Sequence, residues 1–221
     1  MHYAAIQFYH NKFVLSSLFS YFFIFIFIDF LSFLCYNCHI LFLEAISLQK
    51  TKKIVTCAIF SAVICAVTTF VSVPAPSIGN VNLGDSFILC SAWLLGPIGA
   101  IASAIGAFLA DILSGYAIYA PATFIIKYTM SIACYYVFRI SSKSKHNPII
   151  PRLLSALCAE AIMVIGYFAY ECIIFDLSSA LSSVMFNSIQ GTVCFVLGIS
   201  IFQLVIKNKA IQDFSECFHK L

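Results

Sequence analysis

From Leu83 to Lys127 the chain carries three charged side chains, Asp85, Asp111 and Lys127, in 45 residues that otherwise read as membrane-spanning. A charge in hydrocarbon costs at least about 2.5–3.5 kcal/mol on the gentler insertion scales, so such residues usually mark a substrate or ion path. The rest of the 221-residue chain has the same character. It is 62% hydrophobic and 10% charged, with a mean hydropathy of +1.01, against about 25% charged residues in soluble domains. A net charge of +3 without a basic run is too small to suggest nucleic acid.

Six of the ten cysteines (Cys57, Cys65, Cys90, Cys134, Cys158 and Cys194) lie singly in apolar spans, where a thiol behaves as a small hydrophobe. The string Cys35-Tyr36-Asn37-Cys38-His39 matches the C-x-x-C-H haem-attachment pattern. Five residues alone are a weak basis for a cytochrome, and no cofactor is expected. Residues 1–47 form an apolar N-terminal extension with almost no Gly, Ala or Val, and 13–34 are long enough to span a bilayer. The extension reads either as an extra helix or as untranslated sequence before a start at Leu48, the latter favoured because Leu43-Glu44-Ala45 can encode a purine-rich ribosome-binding sequence.

From Ile54 the pattern predicts an all-α membrane protein, a bundle of six transmembrane helices over about 54–73, 84–96, 98–115, 121–139, 152–174 and 183–206. The domain runs 48–210, with a cytoplasmic tail at 211–221. Breaks fall at Pro74-Ala75-Pro76, Gly96-Pro97, Pro121, Pro148, Pro151 and the polar 176–183 segment. The second helix is short for a crossing, which predicts a kink or packing inside the bundle.

Placing Lys50, Lys52 and Lys53 in the cytoplasm collects ten of the twelve basic residues on that side, including Arg139, Lys143, Arg152 and Lys207. Both ends of the six-helix unit are then cytoplasmic. Asp85, Asp111 and Lys127, the latter about 9 Å below the outer end of its helix, gather toward the outer face. They are joined there by Tyr167 and Glu171 at i,i+4, and by Asn187 and Gln190 at i,i+3. Glu160 lies deeper. A purely structural account pairs Lys127 with Asp111 or Glu171. Polar groups from five helices at one depth favour instead an outward-facing pocket for a small, flat, polar molecule, with Tyr116, Tyr119 and Tyr167 as rings.

Ala58, Ala62 and Ala66 form a small-xxx-small stripe that lets another helix approach closely. Gly99 with Ser103, and Ala102 with Gly106 and Ala110, form similar faces that read as internal packing. No P-loop, H-E-x-x-H or G-x-S-x-G string occurs, which leaves ATP hydrolysis by this chain and membrane hydrolase chemistry without support.

The strings Asn82-Leu83-Gly84-Asp85, Leu109-Ala110-Asp111, Gly115-Tyr116 and Tyr119-Ala120-Pro121-Ala122-Thr123 on to Lys127 resemble the S components of energy-coupling factor (ECF) vitamin transporters. Gly166-Tyr167-Phe168, Glu171, Asn187 and Gln190 extend the resemblance, which covers about 54–206. The branch is that of riboflavin, hydroxymethylpyrimidine or pyridoxine uptake.

The resemblance implies a non-enzymatic subunit of a bacterial plasma membrane. It would capture a vitamin from outside, and a transmembrane coupling subunit and two ATPase subunits would supply the energy. Substrate-binding residues are then expected at Asp85, Asp111, Tyr116, Tyr119, Thr123, Lys127, Tyr167, Glu171, Asn187 and Gln190. The coupling subunit would meet Ala58, Ala62 and Ala66, the loop Pro74–Leu83 would act as a lid, and release inside would follow toppling of the loaded subunit. Hydroxymethylpyrimidine or pyridoxine is favoured over riboflavin. The alternative is a stand-alone proton-coupled carrier.

Overall fold

The structure, a computed structural model, describes residues 49–74, 80–143 and 149–209 and a few positions beyond them (Ile211, Gln212, Ser215 and Phe218). What the sequence suggests for residues 1–47, the Cys35–His39 string included, lies outside the described residues. In chain order the elements are α1 (Gln49–Phe70), β1 (Ser72–Pro74), β2 (Asn80–Asn82), α2 (Gly84–Leu95), α3 (Pro97–Leu113), α4 (Ala120–Ser141), α5 (Ile150–Ile174) and α6 (Leu177–Val205). Among the described residues, six helices stand over the six stretches where helices were expected.

Three of them are long and apolar enough to cross a membrane: Thr51–Phe70, Ile150–Ile174 and Leu177–Val205. Their outward faces remain apolar, with Ile54, Leu157, Ile165, Ile173 and Leu204 all exposed, as expected of surfaces that meet lipid tails.

The short second helix takes the centre. All twelve residues of α2 are buried, and it touches each of the other five helices, while α1, α3, α4, α5 and α6 pack in sequence around it. A helix that is apolar on every side is stable only inside a core. Trp93 anchors it there, donating its indole N–H to Ser155 Oγ at 3.0 Å and meeting the Phe202 ring edge-on at 5.0 Å.

The break between α2 and α3 is set by Gly96, whose φ of +61° suits a residue without Cβ, followed by Pro97 at the start of α3. The small faces of α3 are internal, as expected. A Cβ on Gly99 would lie 2.3 Å from the Ser91 carbonyl oxygen, and one on Gly106 would lie 2.5 Å from that of Ser61. These glycines let α3 approach α2 and α1 backbone to backbone.

Two local departures from the sequence reading matter. Helix α6 begins six residues earlier than expected, because Asp176 caps it, accepting the Ser179 backbone N–H at 2.7 Å. The Ser179 hydroxyl and N–H hold that exposed carboxyl below the usual carboxylate range. A serine-rich run after an N-cap aspartate thus starts a helix instead of forming a loop. The first helix ends at Phe70, earlier than expected, and the chain then forms a two-stranded antiparallel ribbon, Ser72 opposite Asn82 and Pro74 opposite Asn80. The ribbon sits at the end of the bundle where α3 and α5 finish and α4 and α6 begin.

Candidate functional site

At this end of the bundle a small cavity of about 50 Å³ is lined by Thr68 of α1, Asn80, Val81 and Asn82 of β2, Asp111 of α3 and Thr123 of α4. The α3–α4 turn adds Ser114, Tyr116 and Tyr119, α5 adds Tyr167 and Glu171, and α6 adds Phe186, Asn187 and Gln190. That volume holds a few waters, since one water needs about 10–15 Å³ of such space.

The wall is ordered by hydrogen bonds. Glu171 accepts the Tyr119 hydroxyl at 3.2 Å on one oxygen and the Ser183 hydroxyl on the other. Asn187 donates to Ser183 Oγ at 3.4 Å. The Tyr167 and Thr123 hydroxyls meet at 3.0 Å, and Tyr119 packs against Tyr167 and Tyr170. Asp111 Oδ2 is buried without a hydrogen-bond partner among the described residues. The charged side chains in this wall are the carboxylates Asp111 and Glu171.

Beneath the cavity lies a second polar layer. Lys127 Nζ sits 2.5 Å from Asp85 Oδ1, both side chains at most 5% exposed, and 5.2 Å above the Tyr167 ring centroid. Asp85 Oδ2 accepts Gln190 Nε2 at 2.6 Å, and Gln190 Oε1 accepts the Asn82 backbone N–H at 2.9 Å. An ion pair, an amide and a strand are thus joined in series.

The family model for the S component of the ECF-type riboflavin transporter matches residues 48–207. The chain belongs to this S-component family. A solved S component of a bacterial ECF transporter shares the fold, with a TM-score of 0.55 and 18% identity, over 72% of this chain and 97% of that one. An uncharacterized protein encoded in the gap 3' region of Pyrococcus woesei is 28% identical over 133 residues, 59% of this chain and 86% of its own length. Membership makes the chain a membrane transporter subunit, a non-enzymatic class, that works with other ECF transporter components and a vitamin ligand.

Eight of the ten binding residues expected in this S component do line one cavity: Asp111, Tyr116, Tyr119, Thr123, Tyr167, Glu171, Asn187 and Gln190. The structure places Asp85 and Lys127 outside the lining, paired with each other below it. Pairing of Lys127 with Asp111 or Glu171 is therefore not what forms. The sequence reading of binding residues passed over Thr68, Asn80, Val81, Asn82, Ser114 and Phe186. Ser114, one turn past Asp111, and Phe186, one turn before Gln190, carry a positional signal; the strand residues depend on how the ribbon folds back. Glu160 is deep, as expected, with both carboxylate oxygens buried and without a hydrogen bond among the described residues. Gly191 leaves room for it, since a Cβ there would lie 3.3 Å from Glu160 Oε2.

On α1 the alanine stripe faces outward: Ala58 and Ala62 are exposed and Ala66 is half-buried. Among the described residues it is not internal packing.

Proposed function

We propose that this chain captures a small water-soluble vitamin from outside the cell and delivers it to a transmembrane coupling subunit driven by two ATPase subunits. The observation that carries the reading is the convergence of polar side chains from five helices and a strand on one cavity at one end of an apolar bundle. Packing alone has no reason to gather them there. Lys52, Lys53, Arg139, Lys143, Arg152, Lys207 and Lys209 belong to the opposite helix ends, which supports an outward-facing cavity by the positive-inside rule.

The wall also speaks to substrate class. Its carboxylates and tyrosines offer acceptors and ring faces, and Lys127 is engaged by Asp85, so the site suits a neutral or protonatable, donor-rich ring and disfavours anionic vitamins. A cavity this small supports hydroxymethylpyrimidine or pyridoxine, single rings with hydroxymethyl groups. Riboflavin is the second reading, favoured by the description of the matching family. It needs Asn80–Asn82 or the tyrosines to move aside.

Thermal shift and isothermal titration of the purified protein against riboflavin, hydroxymethylpyrimidine, pyridoxine and their phosphates test this. Binding of one unphosphorylated compound is expected, with its phosphate ester bound far more weakly. A panel without any binder overturns the vitamin reading, and tighter binding of the phosphates overturns the acidic-wall reading.

The exposed alanine stripe is proposed as the face that meets the coupling subunit, since small residues let helix backbones approach closely. Ala62→Leu is expected to leave vitamin binding unchanged while reducing co-purification with the coupling subunit, and uptake, about tenfold or more, the equivalent of ~1.4 kcal/mol at the contact. Uptake that persists with a catalytically dead ATPase would favour the stand-alone proton-coupled carrier instead.

A further inference from the structure

Residue Asn82 closes β2, lines the cavity and has its peptide groups held by one face of α6. Its N–H goes to Gln190 Oε1 at 2.9 Å, and its C=O accepts the Cys194 thiol at 3.5 Å. Residues four apart on a helix share a face, so Gln190 and Cys194 present an acceptor and a donor to Asn82 much as the edge of a neighbouring strand would. The ribbon needs such support. Its strands have three residues each, and an isolated two-stranded ribbon is marginal in water. Next to it, the Leu83 N–H donates to the Val71 carbonyl at 3.3 Å.

What fixes Gln190 lies below. Its amide donates to Asp85 Oδ2 at 2.6 Å, while Asp85 Oδ1 holds Lys127 at 2.5 Å. Both functional ends of the glutamine are thereby committed, its carbonyl to the strand and its amino group to the carboxylate. The assignment of oxygen and nitrogen in the Gln190 amide follows from its partners: a backbone N–H demands the carbonyl and a carboxylate demands the NH₂.

We infer that Gln190 is a positioning residue. It latches strand β2, one wall of the cavity, onto the buried Asp85–Lys127 pair, and these two charges serve the site by anchoring the latch. The inference rests on the cavity being the binding site, and it adds a mechanism to that reading. A ligand group that reaches Gln190 competes with Asn82 or with Asp85 for it, so occupancy of the cavity and the position of β2 are linked through one side chain.

The chain carries its own reporter. Cys194 is fully buried behind Asn82, and Cys134 is fully buried elsewhere in the core. Cys57 and Cys65 on α1 are half-buried. The full-length protein, purified in nanodiscs without vitamin, is treated with N-ethylmaleimide and the modified peptides are counted by mass spectrometry over time. In the native chain Cys194 and Cys134 are expected to stay protected.

Gln190→Leu removes both hydrogen bonds at similar size. It is expected to speed Cys194 modification at least about tenfold, because one bond is to a charged group, with Cys134 still protected. The paired exchange D85N/Q190E keeps one carboxylate in the linked residues and one acceptor for Asn82, with the hydrogen bond between positions 85 and 190 reversed and the amide oxygen at 85 left for Lys127. It is expected to restore protection of Cys194. Protection of Cys194 unchanged in Gln190→Leu overturns the latch. Exposure of Cys134 together with Cys194 also overturns it, because the residue would then support the whole bundle instead of the strand. Failure of the paired exchange to rescue overturns the role of Asp85 as anchor. None of these outcomes needs a vitamin, so they stand apart from success or failure of the vitamin panel.

Discussion

Replacing Lys127 by alanine lowers the stability of the empty protein by about 3–5 kcal/mol, the range for breaking a buried ion pair by removing one partner. The reason is the residue left behind. Asp85 is 0% exposed and Lys127 4%, and Gln190 alone cannot compensate a carboxylate in the bundle interior. For a chain of this size each kcal/mol moves the thermal midpoint by roughly 2–4 °C, so a drop on the order of 10 °C is expected in a ligand-free melt. The double replacement Asp85→Asn with Lys127→Gln removes both charges, keeps hydrogen-bonding capacity, and is expected to recover most of that loss. A different outcome has a definite meaning. If Lys127→Ala melts like the native protein yet binds no vitamin, the amine serves the ligand directly and the pair is not the anchor described above.

This expectation differs from what the charges in the sequence suggest, and the reason is geometric. Depth along a helix can be counted from its ends, so the gathering of Asp111, Lys127, Glu171, Asn187 and Gln190 toward one end was legible. Which of them touch depends on rotation about each helix axis and on the level at which each helix begins, and hydropathy carries neither. Asp85 opens α2, while Lys127 lies about 10 Å into α4 at 1.5 Å per residue. They meet because α2 sits in the middle of the ring, in contact with α4.

The helices themselves were legible from apolar runs punctuated by proline and glycine. That α2 packs inside the bundle was one of the two readings its length allowed, since twelve residues span only about 18 Å. What was not legible follows from short-range chemistry overriding composition. Asp176 turns a polar serine run into the first turns of α6, and three-residue strands at Ser72–Pro74 and Asn80–Asn82 are too short for an alternating pattern to show. Those strands bring Asn80, Val81 and Asn82 into the cavity wall. Half of the wall residues missed, Asn80, Val81 and Asn82, are thus the ones delivered by the element that was missed.

Glu171 offers the sharpest test of the cavity itself. It is 3% exposed, and its two oxygens order Tyr119 on one side and Ser183 on the other, with Asn187 bonded in turn to Ser183. Two side chains of the wall, Tyr119 directly and Asn187 through Ser183, therefore take their orientation from one carboxylate. Glu171→Ala releases all three partners and removes one of the two acidic groups lining the cavity. The expected result is a loss of about 10–100-fold in vitamin affinity by titration calorimetry, the equivalent of ~1.5–3 kcal/mol for a hydrogen bond to a charged group.

Glu171→Gln separates the two contributions. The amide oxygen can still accept one of the two hydroxyls, but the amide has no charge and its NH₂ has no acceptor role. If ordering of Tyr119 and Ser183 dominates, the glutamine variant keeps affinity within about threefold of native, less than ~1 kcal/mol. If the carboxylate charge itself selects the ligand, the variant falls with the alanine one and also loses its discrimination against the phosphorylated vitamin. Native affinity in both variants would remove Glu171 from the site, and with it the idea that this wall, held together through that carboxylate, is what recognises the vitamin.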